Sequence, residues 1–273
     1  MIRRSLVGAV AVGVFVALSW VAATAGAWKL LGISWVAFGA MALGVPLGGR
    51  SLDGRPWALV WGYGLASGAM ITSAAVFLVP QAIAHHATFG GFGVALGLLV
   101  GFAGHTIGHR FVHYDLPVDR TAAALTAHAL SAGLIIGIVY GNMPDLGPIL
   151  GLAIVSHKGP AGYAAARRLV SNGKDPTVLF VPAAGVGIAA IVASLVALPA
   201  AAPVRGVVFG FAAGIFLHVA MDFLPQCELG SEVHDLLTVT GDAHALLDRL
   251  RVHAVLSTGL GGAAVFLAWL LAA

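Results

Sequence analysis

Thr121-Ala-Ala-Ala-Leu-Thr-Ala-His128-Ala-Leu-Ser131-Ala-Gly133-Leu-Ile-Ile-Gly137-Ile-Val-Tyr-Gly141 runs for 21 residues without a charged side chain. At a rise of about 1.5 Å per residue a helix of that length covers roughly 30 Å, the thickness of a bilayer's hydrocarbon core. Backbone N–H and C=O groups find no water there, so a crossing segment is helical or belongs to a closed barrel. The alternation expected of a barrel strand of about ten residues is missing from this run, which therefore reads as a membrane-spanning α-helix. Its one histidine, His128, falls inside the hydrocarbon zone, and the next apolar segment repeats the pattern: His128-Ala-Leu-Ser-Ala-Gly133 is followed by His157-Lys-Gly-Pro-Ala-Gly162. Ionisable groups are expensive in lipid, and those that stay there face a bundle interior or a wet cavity and serve an ion, a proton or a cofactor.

The rest of the chain extends this reading. It is 59% hydrophobic and 9% charged, its mean hydropathy is +0.97, and nine spans are expected at about 5–27, 30–49, 57–80, 90–108, 121–141, 147–169, 176–200, 204–224 and 252–273. The fold class is an all-α polytopic membrane protein. A net charge of +3 and a pI near 9.4 raise the question of nucleic acid, but the basic residues sort by side instead. With the N-terminus inside, the cytoplasmic segments hold eleven of the fourteen Lys and Arg, the outer segments hold Lys29 and Arg205, and Lys158 lies within a span. This asymmetry places the N-terminus in the cytoplasm and the C-terminus outside the cell membrane, with the bilayer rather than nucleic acid as partner. Arg3, Arg4 and the later Ala23-Thr-Ala25 also fit a cleaved signal peptide; the length of the apolar stretch favours a retained helix, and cleavage stays open.

A single cysteine, Cys227, excludes an internal disulfide and a Cys-x-x-Cys metal site. Residues 225–251, with Leu246, Leu247 and Leu250 beside Asp242, Asp248, Arg249 and Arg251, read as a short amphipathic helix lying on the cytoplasmic membrane surface. Gly93, Gly97 and Gly101 at four-residue spacing mark a close helix contact. Span 3 ends Phe77-Leu-Val-Pro80-Gln81 and span 8 ends Phe223-Leu224-Pro225-Gln226, on opposite sides of the membrane. An inverted repeat would produce this, and so would two helices that each close on a proline.

The order of these features resembles the ZIP (Zrt/Irt-like) divalent-metal transporters. The resemblance covers about 30–273, an eight-helix unit with an inverted repeat, and leaves residues 1–29 as an extra N-terminal membrane helix. In that family the metal sits between the fourth and fifth helices, on motifs whose matching positions here are His128 and Gly133, then His157, Pro160 and Gly162. Val79-Pro80-Gln81 and Leu224-Pro225-Gln226 resemble the family's Leu-Pro-Glu endings, and Asp222 its acidic residue before the second proline. Alanine stands at 129, 132 and 161, where the family has a polar ligand and two glutamates, Val181-Pro182 has lost another, and Lys158 occupies the position of a second-metal ligand. Asp222 is the one carboxylate within a span, so a carboxylate-bridged two-metal site is not expected.

The remaining residues still offer a cation something to bind. Neutral imidazole suits Zn, Cu, Ni or Fe(II) and not Mg or Ca, so His128 and His157 argue for one transition metal. Pro160 would free a backbone carbonyl near His157, and Ser131 or water would complete the shell. Lys158 either replaces a second cation electrostatically, carries a proton when neutral, or turns away to pair with Asp222. His218 and Asp222 share a face of span 8 and suit an outer-shell metal pair, a proton relay or plain helix contact. His105, His109 and His113 form a row at the cytosolic end of span 4, read as a cytosolic release site or as an interfacial polar stripe. The metalloprotease motif is excluded, because His105-Thr-Ile-Gly-His109 lacks its glutamate.

The function expected is transport of a divalent transition metal, zinc foremost, into the cytoplasm, with the metal as substrate, no permanently bound cofactor and no enzymatic activity. Two other readings stay open: a non-transporting relative with a metal-sensing or structural role, and a b-haem protein using His128, His157 or His218. A homodimer is one arrangement left open.

Overall fold

The apolar runs fold as helices. The computed structural model describes residues 6–50, 56–111, 119–143, 148, 151, 155, 157–197, 199, 201–229 and 243–272, and no strand occurs among them. The helices are α1 (Leu6–Thr24), α2 (Trp28–Arg50), α3 (Pro56–Ser73), α4 (Val79–His85), α5 (Ala87–Phe111), α6 (Arg120–Asn142), α7 (Lys158–Ser171), α8 (Phe180–Ala193), α9 (Ala202–Leu229) and α10 (Ala243–Ala272). A π-turn, Ala74–Leu78, joins α3 to α4, and a 3₁₀ turn, Pro176–Leu179, precedes α8. Eight of the resulting rods are long and apolar enough to cross a membrane, and the chain is a multi-pass membrane protein.

Span boundaries differ from expectation where proline was taken as a stop. The third span passes through Pro80 and ends at His85. Proline lacks an N–H and its ring clashes with the carbonyl four residues back; here the strain is taken up in the preceding turn, where the Val79 N–H bonds the carbonyl of Ala74, five residues back. Helix α9 likewise continues past Pro225 to Leu229. The surface helix expected within 225–251 is corrected: residues 243–251 are the opening turns of α10, while 230–242 lie outside the described residues. Leu247 and Leu250 pack with Val60 and Tyr63 of α3, so their apolar face meets protein and not headgroups. The sixth expected span, 147–169, is described as a continuous helix only from Lys158.

Helix contacts sort into two groups. In one, α2 lies along α7, α6 along α8, and α2 also touches α8, with α1 added against α8. In the other, α3 lies along α10, and α9 packs on α5, α3 and α4. The groups meet where α3 crosses α7 and where α6 touches α9.

Lipid tails are as apolar as leucine, so helices associate in a membrane by close packing of small residues and not by expelling water. Each long pair here follows that rule. The expected contact at Gly93, Gly97 and Gly101 is met by α9, and a Cβ at Gly93 would stand 2.6 Å from the Val207 carbonyl oxygen. A second series, Gly133, Gly137 and Gly141, seats α6 on Val186, Ala190 and Ser194 of α8 or just beyond its end. Phe15 docks α1: its ring presses on Gly187 of α8 and sits 4.8 Å from Trp35 and 5.5 Å from Phe38, centroid to centroid.

Asp119 fixes the start of α6. Its carboxylate accepts from the N–H groups of Thr121 at 2.8 Å and Ala122 at 3.1 Å, a capping arrangement, and from Lys174, just beyond α7. Burial alone would raise its pKa, but the hydrogen bonds from Lys174, Ala122 and Thr121 outweigh burial and hold it below the ordinary 3.8. A depressed carboxyl pKa stabilises the fold above the unfolded value, and the contribution is lost as pH falls through the folded one. Asp119→Ala should therefore cost about 1 kcal/mol at neutral pH, as lost N-caps do. Its difference from wild type should shrink below pH 3.8, as read by thermal unfolding in detergent at several pH values.

Candidate functional site

The two histidines meet at the boundary between the helix groups. His128 projects from α6, a little over two turns from its start, and His157 holds the N-cap position of α7 without a side-chain capping bond. Their Nε2 atoms are 3.0 Å apart and their ring centroids 5.3 Å apart, with the planes inclined at 52°. Phe216 of α9, fully buried, closes the pair from the other group: its ring stands edge-on to His157 at 5.7 Å and lies 6.5 Å from His128. His157 is wholly buried as well.

The glycines that end both motifs serve packing. Gly133 lets α6 approach the Val186 carbonyl of α8, and a Cβ at Gly162 would come within 2.8 Å of the Met41 carbonyl oxygen of α2. Each histidine is thus carried by a helix locked to its neighbour one turn and a half further on. Ala129, Ala132 and Ala161 are buried, and the Ala129 methyl lies beside Gly185 of α8.

Lys158 follows His157 as the first residue of α7 and is wholly buried. Among the described residues its Nζ has no hydrogen-bond partner. Pairing with Asp222, one of the readings of the sequence, is not made. The positive end of the α7 dipole falls on the same residue. The carboxylates with described side chains have partners elsewhere: Asp119 with Lys174, Asp175 through Oδ1 with the Thr177 N–H, Asp248 with Arg251, and Asp222 with His218; Asp175 Oδ2 is buried without a described partner.

The other candidates take separate places. His218 Nε2 and Asp222 Oδ2 are 3.3 Å apart on one face of α9, as their spacing predicts. That face turns to α5, where the His218 ring rests on Gly101, away from the face that carries Phe216. Ser131 donates to the Ala127 carbonyl of its own helix at 2.9 Å. Pro160 sits in the first turn of α7, where its missing N–H costs little; Ser156, whose carbonyl it was expected to free, lies outside the described residues. The side chains of His105 and His109, and His113 altogether, also lie outside them. Phe216 was not singled out in the sequence, and nothing in the sequence distinguishes it from the other twelve of the chain's 13 phenylalanines.

Chemically, the pair is a hydrogen bond between two imidazoles, Nε2 to Nε2, in which the tautomers decide which ring donates. With Zn–N bonds of about 2.0–2.1 Å, neighbouring nitrogens of a tetrahedral zinc stand about 3.3 Å apart. A separation of 3.0 Å is therefore close to a ligand edge, and opening it by a few tenths of an ångström suffices. Among the described residues no third His, Cys, Asp or Glu joins them. No protein-family model matches the chain, and no curated protein matches its sequence.

Proposed function

We propose that the chain is a ZIP-like carrier that moves one divalent transition metal, zinc foremost, into the cytoplasm on the His128–His157 pair. The observation that carries this reading is the placement of the two Nε2 atoms, 3.0 Å apart, at the junction of two helix groups. A site at such a junction opens to one side or the other as the groups shift, which a carrier requires and a structural polar contact does not. The eight spans after α1, with α3 and α4 counted as one, form the proposed transport unit, and the pairing of α2 with α7, α6 with α8, α3 with α10 and α5 with α9 is compatible with an inverted repeat. The distribution of Lys and Arg supports an N-terminus inside, a C-terminus outside and residence in the cell membrane. The chain acts as carrier, not enzyme, and the metal is cargo.

Direct contact of the imidazoles speaks against the haem reading for this pair, because axial ligands lie on opposite faces of a porphyrin and leave room for the ring. The absence of a third side-chain ligand among the described residues speaks for the non-transporting relative, and the test separates it from the carrier. Purified protein in sealed vesicles should accumulate zinc above empty vesicles, and titration should show one metal in the path per chain. Two dications would repel each other in low dielectric with nothing anionic to bridge them. Vesicles that accumulate none of Zn, Fe, Mn, Co or Ni would leave the non-transporting reading standing; two path metals would overturn the single site.

A further inference from the structure

Three rings meet at the site in a triangle. The imidazoles of His128 and His157 stand 5.3 Å apart, and the Phe216 ring lies 5.7 Å from His157 and 6.5 Å from His128, centroid to centroid. The phenyl ring is therefore almost as close to each imidazole as they are to each other, and one side of the pair is hydrocarbon. We propose that Phe216 sets the ion specificity of the site: it bars water from the metal on that side, so the pair takes an ion content with four ligands and rejects those that hold six.

The proposal rests on the carrier reading above and deepens it. The ring is not free to turn aside for water, because the helix that bears it is fixed on two sides. Gly210 and Gly214 seat α9 on α5, against the carbonyls of Gly90 and Val94. Ser67 of α3 donates to the Ala220 carbonyl at 2.9 Å, one turn beyond Phe216. Phe216 is wholly buried, and so are Ala212 and Ala220, one turn to either side of it. An octahedral shell needs oxygen or nitrogen on every side of the ion, and a phenyl C–H ligates nothing. Zn²⁺ has no geometric preference from its d electrons and is at home with four ligands, whereas Mn²⁺ takes six oxygens and Mg²⁺ keeps several of its waters. Because α9 belongs to one helix group and the histidines to the other, a hydrated ion reaches the pair when the groups part and must shed water on the Phe216 side when they close. An ion that gives up its water reluctantly is turned away at that step.

Co²⁺ reports the shell directly, since its visible absorption is intense in four-coordinate sites and weak in six-coordinate ones. The purified full chain in detergent, loaded with Co²⁺, should give the intense spectrum, and Phe216→Leu, which keeps most of the hydrocarbon, should match it. Phe216→Ala opens that side to water and should give the weak spectrum. Its preference for Zn²⁺ over Mn²⁺, measured by competition titration, should fall about tenfold or more, the scale on which groups around a metal's ligands act. The wild-type spectrum carries the test even where Phe216→Ala folds poorly: a weak one would overturn the assignment while leaving the metal site standing. An intense spectrum or an unchanged preference in folded Phe216→Ala would overturn it too, and a Phe216→Leu protein that behaves as Phe216→Ala would overturn exclusion of water as its basis. Wild type that binds neither Co²⁺ nor Zn²⁺ would remove the carrier reading and this inference with it.

Discussion

Gly97→Leu is expected to abolish the accumulation of folded protein. A Cβ at this position would overlap the Phe211 carbonyl oxygen and stand 2.9 Å from the Gly214 Cα, both backbone atoms of α9. Neither can swing aside as a side-chain terminus can, so α5 and α9 would have to separate along the whole contact that Gly93, Gly97 and Gly101 create. Overpacking a close contact costs about 3 kcal/mol or more when the neighbour is rigid, a large part of a membrane bundle's margin. Gly91→Leu is the control, because that position on the same helix has nothing within 4 Å of a Cβ. Size-exclusion profiles of the two variants in detergent, with thermal melts, decide it: a Gly97→Leu protein as monodisperse and as stable as Gly91→Leu would mean the two helices do not meet here.

That contact was legible because spacing alone identifies it, small residues every fourth position falling on one face of a helix. The matching series Gly133, Gly137 and Gly141 carries the same signal, but Gly133 also closes the histidine motif, and a reading of the motif as chemistry hid its packing role. The spans were legible for an equally simple reason, since length and apolarity are what a bilayer demands. Their ends were less so. Whether a proline stops a helix depends on whether the turn before it can widen, and the π-turn at Ala74–Leu78 depends on packing against α9, which no local pattern reports. The opening of α10 was misplaced because an amphipathic turn reads alike whether its leucines meet headgroups or, as here, Val60 and Tyr63.

The site divides the same way. The expected meeting of His128 and His157 is found, although α6 packs mainly on α8 and α7 mainly on α2, so the two helices touch over little more than this contact. Phe216 was invisible, being one aromatic among many on a helix that the histidine motifs do not mention. His218 was credible as a neighbour of the pair until the rotation of α9 was known: two residues along a helix is more than half a turn, so the face that offers Phe216 to the histidines must offer His218 to α5. The surroundings of Lys158 could not be read either: pairing with Asp222 was open in sequence, and in the structure Nζ is buried with no described hydrogen-bond partner while Asp222 bonds His218.

His128→Ala and His157→Ala should each abolish zinc uptake into vesicles while leaving the protein folded. On the carrier reading each removes one of the two nitrogens proposed to bind the metal, and among the described residues no third His, Cys, Asp or Glu stands by to take its place. The loss should exceed the roughly 10–100-fold typical of groups that only support a ligand. Two comparisons separate a ligand from a bystander. Ser131→Ala should transport as wild type, because that hydroxyl is already spent on the Ala127 carbonyl. His218→Ala should cost less than either ligand variant, because its imidazole lies against Gly101 and bonds Asp222. Initial uptake rates of the four variants, beside zinc binding by calorimetry, are the measurement. If His128→Ala takes up zinc at the wild-type rate, the contact between the two imidazoles is only a polar link between α6 and α7, and the carrier reading loses the observation on which it stands.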